Sequence, residues 1–257
     1  SSFGFGGTNA HAVLSEPPRD RTSNPQPLTH TLLPLSAKTP EALHDRACQL
    51  RDLLESDGHE SLSDIAHTLA NRRTHYAHRT SVIASSRADA LKKIEALIQK
   101  GPAAFVNKTS KESPTIAFLF TGQGSQYVNM GNEIYNSSPV FRDILEKCDD
   151  VLIPKLGQSL VSIIAPQDEE KSPINQTAFT QPILFAFEFA LSELWRSWGV
   201  VPDYVMGHSV GEYTAACVAG VFDFRTGLEL IAERGRLMQG LPSGGGMAAT
   251  KVNGDTL

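Results

Sequence analysis

Ser209 stands in Gly207-His208-Ser209-Val210-Gly211, directly after the apolar run Tyr204-Val205-Met206, and this arrangement has the form of a nucleophile elbow. A sharp strand-to-helix turn lifts a serine clear of its backbone, and flanking glycines permit the close approach that side chains would block. A serine so placed can form an acyl-enzyme, which splits one difficult transfer into two easier steps, provided a base takes its proton and donors steady the oxyanion. The Val210 amide is a natural oxyanion donor, and a second would come from the loop after the first strand. His208 adjoins the serine, but neighbours at a sharp turn point in different directions, so it reads as pocket lining and not as the base.

Three other positions carry polar groups open to two readings. Gly122-Gln123-Gly124 follows the apolar run Thr115 to Phe120 and by itself is a tight turn or a weak phosphate loop. Gln181 precedes Pro182 where a helix is expected to open, and so could be a simple cap. Arg234 lies beside Glu233, and the bland reading is a solvated ion pair contributing under about 1 kcal/mol.

The elements that must position these residues are legible from periodicity. Thr31 to Ser36 reads as a strand, and Thr39-Pro40 opens a helix with Leu43, Ala47, Leu50 and Leu54 on one face. A helix with Leu62, Ile65, Ala66 and Leu69 inward follows, then a strand over Thr80 to Ala84 and a helix from Ser86 to Gly101. Its histidines, His59, His67, His75 and His78, do not share a face at ligand spacing, so no metal site is expected. From Thr115 the apolar run predicts a strand buried on both faces. Ser138-Pro139 opens a helix with Phe141, Ile144, Leu145 and Cys148 inward. A helix apolar nearly all round is expected from Gln181-Pro182 to Trp198, and further helices from Ser209 to Gly220 and from Arg225 to Gly240. Buried strands alternating with helices imply an α/β fold with a mostly parallel sheet covered on both sides.

Composition narrows the function classes. The chain has 257 residues and a net charge of −5, with Lys and Arg spread among the acids, which argues against nucleic acid as a partner. Cys48, Cys148 and Cys217 read as buried small residues in a reducing compartment. No apolar stretch long enough for a bilayer span and no secretory leader are visible, so a cytoplasmic protein without membrane contact is expected. Residues 17–30 are rich in Pro and polar side chains and read as a connector. The first residues, Ser-Ser-Phe-Gly-Phe-Gly-Gly, lack an initiator Met, and the last, Asp255-Thr256-Leu257, follow an apolar segment that has only begun, which reads as a piece of something longer.

Four landmarks occur in order: Gly122-Gln123-Gly124, Thr180-Gln181-Pro182, Gly207-His208-Ser209-Val210-Gly211-Glu212 and Glu233-Arg234-Gly235. Together they resemble the acyltransferase domain of type I modular polyketide synthases and the related malonyl-CoA:acyl-carrier-protein transacylases. Residues 1–16 resemble the C-terminal end of a ketosynthase, 31–113 the ketosynthase-to-acyltransferase linker domain, and 114–257 the N-terminal part of the acyltransferase. The resemblance implies an incomplete α/β-hydrolase-like core after a small α/β linker module, with the ferredoxin-like subdomain largely missing after Gly246-Met247-Ala248-Ala249-Thr250.

The resemblance further implies that Ser209 carries the acyl group, that Gln123 supplies the second oxyanion donor, that Gln181 lies in the substrate pocket and that Arg234 pairs with the free carboxylate of a malonyl-type group. No bound cofactor is implied; malonyl-CoA is the donor and the phosphopantetheine of an acyl carrier protein the acceptor. Val210 and the segment Thr177-Ala178-Phe179-Thr180-Gln181-Pro182 resemble malonyl-selecting versions over methylmalonyl ones. The catalytic His of the family has no counterpart before residue 257, which predicts a poorly active piece. Implied partners are the carrier protein, the ketosynthase of the same chain, and a second copy in a homodimeric synthase. Two alternatives remain: a serine acyl-thioester hydrolase, for which Arg234 is superfluous, and a structural or docking scaffold, for which Ser209 is.

Overall fold

The computed structural model describes residues 1–14, 29–56, 58, 60–105, 109 and 113–242, and the chain divides into two compact units, 1–109 and 110–257. Most of the expected connector, His59 and the strand expected at 246–250 lie outside the described residues.

In the first unit a small antiparallel hairpin pairs β1 (Ser2–Phe3) with β2 (Asn9–Ala10). Separately, β3 (Thr31–Ala37) pairs antiparallel with β4 (His78–Ala84), from Thr31 opposite Ala84 to Ala37 opposite His78. Alternation sends Leu33, Leu35, Ala37, Val82 and Ala84 to one face, where α1 (Pro40–Glu55), α2 (Leu62–Asn71) and α3 (Arg87–Gln99) cover them. Leu43, Ala47, Leu50 and Leu54 of α1 are buried there, each leucine contributing about 2 kcal/mol by leaving water.

Helix starts in this unit follow from side-chain chemistry. The hydroxyls of Thr39, Ser61 and Ser86 accept from the amides of Ala42, Asp64 and Asp89, each satisfying a donor the helix leaves orphaned. The end of α1 is held from outside: the Arg87 guanidinium donates to the carbonyls of Leu53 (2.7 Å), Leu54 (2.9 Å), Ser56 (3.0 Å) and Glu60 (3.0 Å). A cation at a helix C-terminus meets the negative end of the dipole as well as its unpaired carbonyls.

The second unit is built around a parallel pair, β5 (Ala117–Phe120) and β6 (Tyr204–Gly207), with Phe120 opposite Gly207. Between them come α4 (Asn132–Ser137), α5 (Pro139–Leu156), α6 (Leu160–Ile164) and α7 (Thr177–Ser197); α8 (Val210–Val218) and α9 (Phe224–Gln239) follow β6. As its composition requires, α7 is the central helix, packed against α5, α8 and α9, with Ile183, Phe185, Ala186 and Ala190 fully buried.

Two expectations are corrected. The central helix begins at Thr177, not at Gln181-Pro182. A short 3-10 turn over Pro173–Asn175 leads into it, the Thr180 hydroxyl donates back to the Ile174 carbonyl (2.5 Å), and Pro182 falls inside the helix, where it removes one i to i−4 hydrogen bond and crowds the carbonyl four residues before it. The sheet is covered on one side only among the described residues. Phe118, Phe120 and Val205 pack toward α8, whereas Leu119, Tyr204 and Met206 on the other face are 67%, 67% and 62% exposed. The apolar run is a property of the strand; its burial depends on neighbours, and only one face has them.

Candidate active site

The strand-turn-helix β6-α8 builds the elbow as its sequence demands. Ser209 has φ 54° and ψ −105°, a backbone state costing a non-glycine residue about 1–3 kcal/mol, and it sits at the N-terminus of α8 without using its hydroxyl as a cap. A side chain at Gly207 would collide with Gly211 and Glu212, and one at Gly211 with the carbonyls of Phe120 and Thr121. The two glycines thus let the first turn of α8 lie directly against the end of β5, bringing the loop after β5 to the nucleophile.

That loop carries Gln123. Its side-chain amide donates to Thr177 Oγ1 (3.1 Å) at the start of α7, while Gly124 N donates to Gln126 Oε1 (2.8 Å). Among the described residues, neither the backbone N–H of Gln123 nor that of Val210 has a protein acceptor. Val210 N adjoins the exposed serine, and Gln123 follows Gly122, which packs on His208; two free N–H groups on these segments suit a developing oxyanion. The Val210 side chain is fully buried in the core, so its part in the site is its amide.

His208 holds its backbone to β5 through its N–H and the Phe120 carbonyl (3.1 Å), and its ring packs so closely on Gly122 that a Cβ there would collide with Nδ1. It is the sole histidine of residues 110–257, and its ring makes no hydrogen bond to Ser209 among the described residues.

Arg234 departs from the bland expectation. Glu233 pairs with Arg236 instead, through two hydrogen bonds of 2.8 and 2.6 Å that also hold the Glu233 carboxyl below its usual range. Arg234 Nη1 donates to Gln181 Oε1 (2.7 Å), Nη2 reaches Ser209 Oγ at 3.4 Å, and the guanidinium lies 5.5 Å from the centre of the Tyr213 ring. No carboxylate lies within 4.0 Å of it among the described residues. Gln181 is fully buried and is no cap: its other end donates to Met238 Sδ (3.2 Å), locking the orientation that faces Arg234.

The structure therefore brings Ser209, Val210, Gln123, Gln181, Arg234 and His208 together, from three helices and two loops. Sequence reasoning missed Tyr213 and Glu188. Glu188 is 8% exposed on α7, and burial pushes its carboxyl above the usual range against the pull of hydrogen bonds from Thr121 and Thr214. Its signal was available as one carboxylate within the apolar run Ile183 to Leu191. A hollow of about 600 Å³ runs along β5 and α7, lined by Phe118, Leu119, Phe187, Leu191 and Trp195, and does not include Ser209.

No helix among the described residues is long and apolar enough to cross a membrane. The family described as acyl transferase domain matches residues 117–256, and one described as CurL-like, PKS C-terminal matches 31–94. Polyketide synthase GfsA of Streptomyces halstedii is 36% identical over 261 residues, covering 98% of this chain and 4% of that protein. The solved acyl transferase domain of ZmaA superposes with a TM-score of 0.78 at 35% identity, covering 87% of this chain and 51% of that one. The acyl transferase domain of SpnD, solved in complex with 2-(pent-4-yn-1-yl)malonyl, gives a TM-score of 0.70 at 38% identity, covering 81% and 49%. The chain thus spans about half of each solved domain and a small part of the curated synthase.

Proposed function

This chain belongs to the acyl transferase domain family of polyketide synthases, and on that premise we propose that Ser209 takes a malonyl group from coenzyme A and passes it to the phosphopantetheine thiol of an acyl carrier protein. The observation that carries the reading is Arg234: a guanidinium beside the serine, steadied by Gln181 and Tyr213, with no carboxylate partner among the described residues. A planar fork of donors suits a carboxylate, and malonyl brings one on the far side of the reacting carbonyl.

In the first half-reaction Ser209 Oγ attacks the thioester carbonyl, its proton passes to a base, and the amides of Val210 and Gln123 receive the oxyanion. Collapse expels the coenzyme A thiolate, which takes the proton back. In the second the phosphopantetheine thiol attacks the serine ester, giving its proton through the base to the departing Ser209 Oγ. His208 does not serve as that base; a histidine of the parent synthase outside these residues does. The chain by itself should therefore load Ser209 about 10²- to 10⁴-fold more slowly than the intact synthase.

Malonyl is preferred to methylmalonyl on the resemblance of Val210 and Thr177 to Pro182 to malonyl-selecting versions. The test incubates the intact synthase with equal malonyl-CoA and methylmalonyl-CoA and reads the mass of the Ser209 peptide, with Ser209→Ala as control. A malonyl adduct lost in the variant is expected. Preferential methylmalonyl loading would sink the selectivity, and absence of any adduct the reaction.

A further inference from the structure

Glu188 is the one carboxylate among the buried described residues. Such a group is costly away from water unless donors satisfy it. Three do: Thr121 N at 2.7 Å and Thr121 Oγ1 at 2.6 Å on one carboxylate oxygen, and Thr214 Oγ1 at 3.1 Å on the other. Thr121 immediately precedes Gly122-Gln123, and Thr214 lies one helical turn beyond Val210. The two oxygens therefore grip the two backbone segments whose amides are free.

We propose that Glu188 is a positioning residue of the acyl transfer, setting the spacing of the Gln123 and Val210 amides through Thr121 and Thr214 without touching the acyl group. The inference rests on the acyl-enzyme reading of Ser209. The β5–β6 ladder ends at Phe120 and Gly207, so the loop carrying Gln123 lies beyond the sheet's own hydrogen bonds and needs another anchor. A leucine at 188 would fill similar space and keep α7 packed, but it would leave Thr121 N and both hydroxyls without this acceptor.

The bland alternative, that Glu188 serves folding alone, predicts lower stability with unchanged chemistry in the molecules that fold. Misplacing or losing an oxyanion donor instead slows the chemical step, with little effect on ground-state binding. In the intact synthase, Glu188→Leu should lower the rate constant for Ser209 acylation by malonyl-CoA about 10- to 100-fold, with the half-saturating concentration within about twofold. Glu188→Gln should recover to within about threefold of wild type, because its carbonyl accepts from Thr121 and its amide donates to Thr214 Oγ1.

Rapid quench and mass of the Ser209 peptide read the rates, and circular dichroism checks folding. If Glu188→Leu does not fold, Thr214→Val, which keeps the buried volume, carries the test with an expected loss of about 3- to 10-fold. An unchanged rate constant in the folded leucine variant, or in Thr214→Val where leucine does not fold, overturns the inference. So does a glutamine variant as slow as leucine. If wild type fails to load Ser209, the function reading falls and takes this inference with it; loading in wild type with unaffected variants defeats the inference alone.

Discussion

Arg87 and Arg234, one in each unit, show what distinguishes a side chain that holds a fold from one that waits for a ligand. Arg87 directs its donors to three carbonyls at the end of α1 and to that of Glu60 ahead of α2, all between 2.7 and 3.0 Å. Arg234 has one short hydrogen bond, to Gln181, one long reach to Ser209, and an aromatic face beneath it. The first is finished chemistry and the second unfinished. Neither difference is visible in residue type, since both arginines lie on helices of ordinary composition.

The contrast can be broken by removing each side chain. Arg234→Ala should reduce malonyl loading of Ser209 in the intact synthase about 100-fold or more, while an uncharged acetyl thioester loads no worse; Arg234→Lys should recover little, because an ammonium lacks the planar fork. Equal loss for both acyl groups would make Arg234 a structural residue like Arg87. Arg87→Ala should lower the stability of the first unit by about 2 kcal/mol, read from a urea unfolding curve, and leave loading unchanged. A flat stability would show that water replaces the guanidinium without cost.

A smaller effect separates the buried carboxylate from both arginines. Burial raises the Glu188 carboxyl above its unfolded value near 4.5, so the folded chain holds a proton where the unfolded chain has released it. Stability from this group is therefore lost as pH rises from about 4.5 through the raised value, whereas glutamine has nothing to lose. The stability gap between Glu188→Gln and wild type should move in favour of glutamine across that window. A gap independent of pH would contradict the direction of the shift.

Much of this was legible in the sequence because it is local. Thr39, Ser86 and Ser138 could be recognised as caps from type and position, and each accepts the amide expected of it. The elbow was legible because only a few residue types tolerate its turn. Three features were not. The start of α7 was displaced because a proline usually marks a first helical position, while packing of Thr180 and Gln181 drew the helix back to Thr177. The exposed face of β5 was hidden because apolarity says what a strand would prefer to touch, not what arrives to touch it. The coupling of Gln181 to Arg234 joins residues 53 positions apart, and the fold alone brings them together.

The backbone of Ser209 has a consequence for evolutionary drift. With φ at 54°, glycine would occupy the position without strain, and Ser209→Gly should raise the unfolding temperature even as it removes the hydroxyl. A lineage that kept this chain only as a spacer would be free to accept that exchange and become more stable by it. Serine at the elbow is therefore the less stable choice, and it opposes the direction in which neutral change would carry a domain relieved of its chemistry.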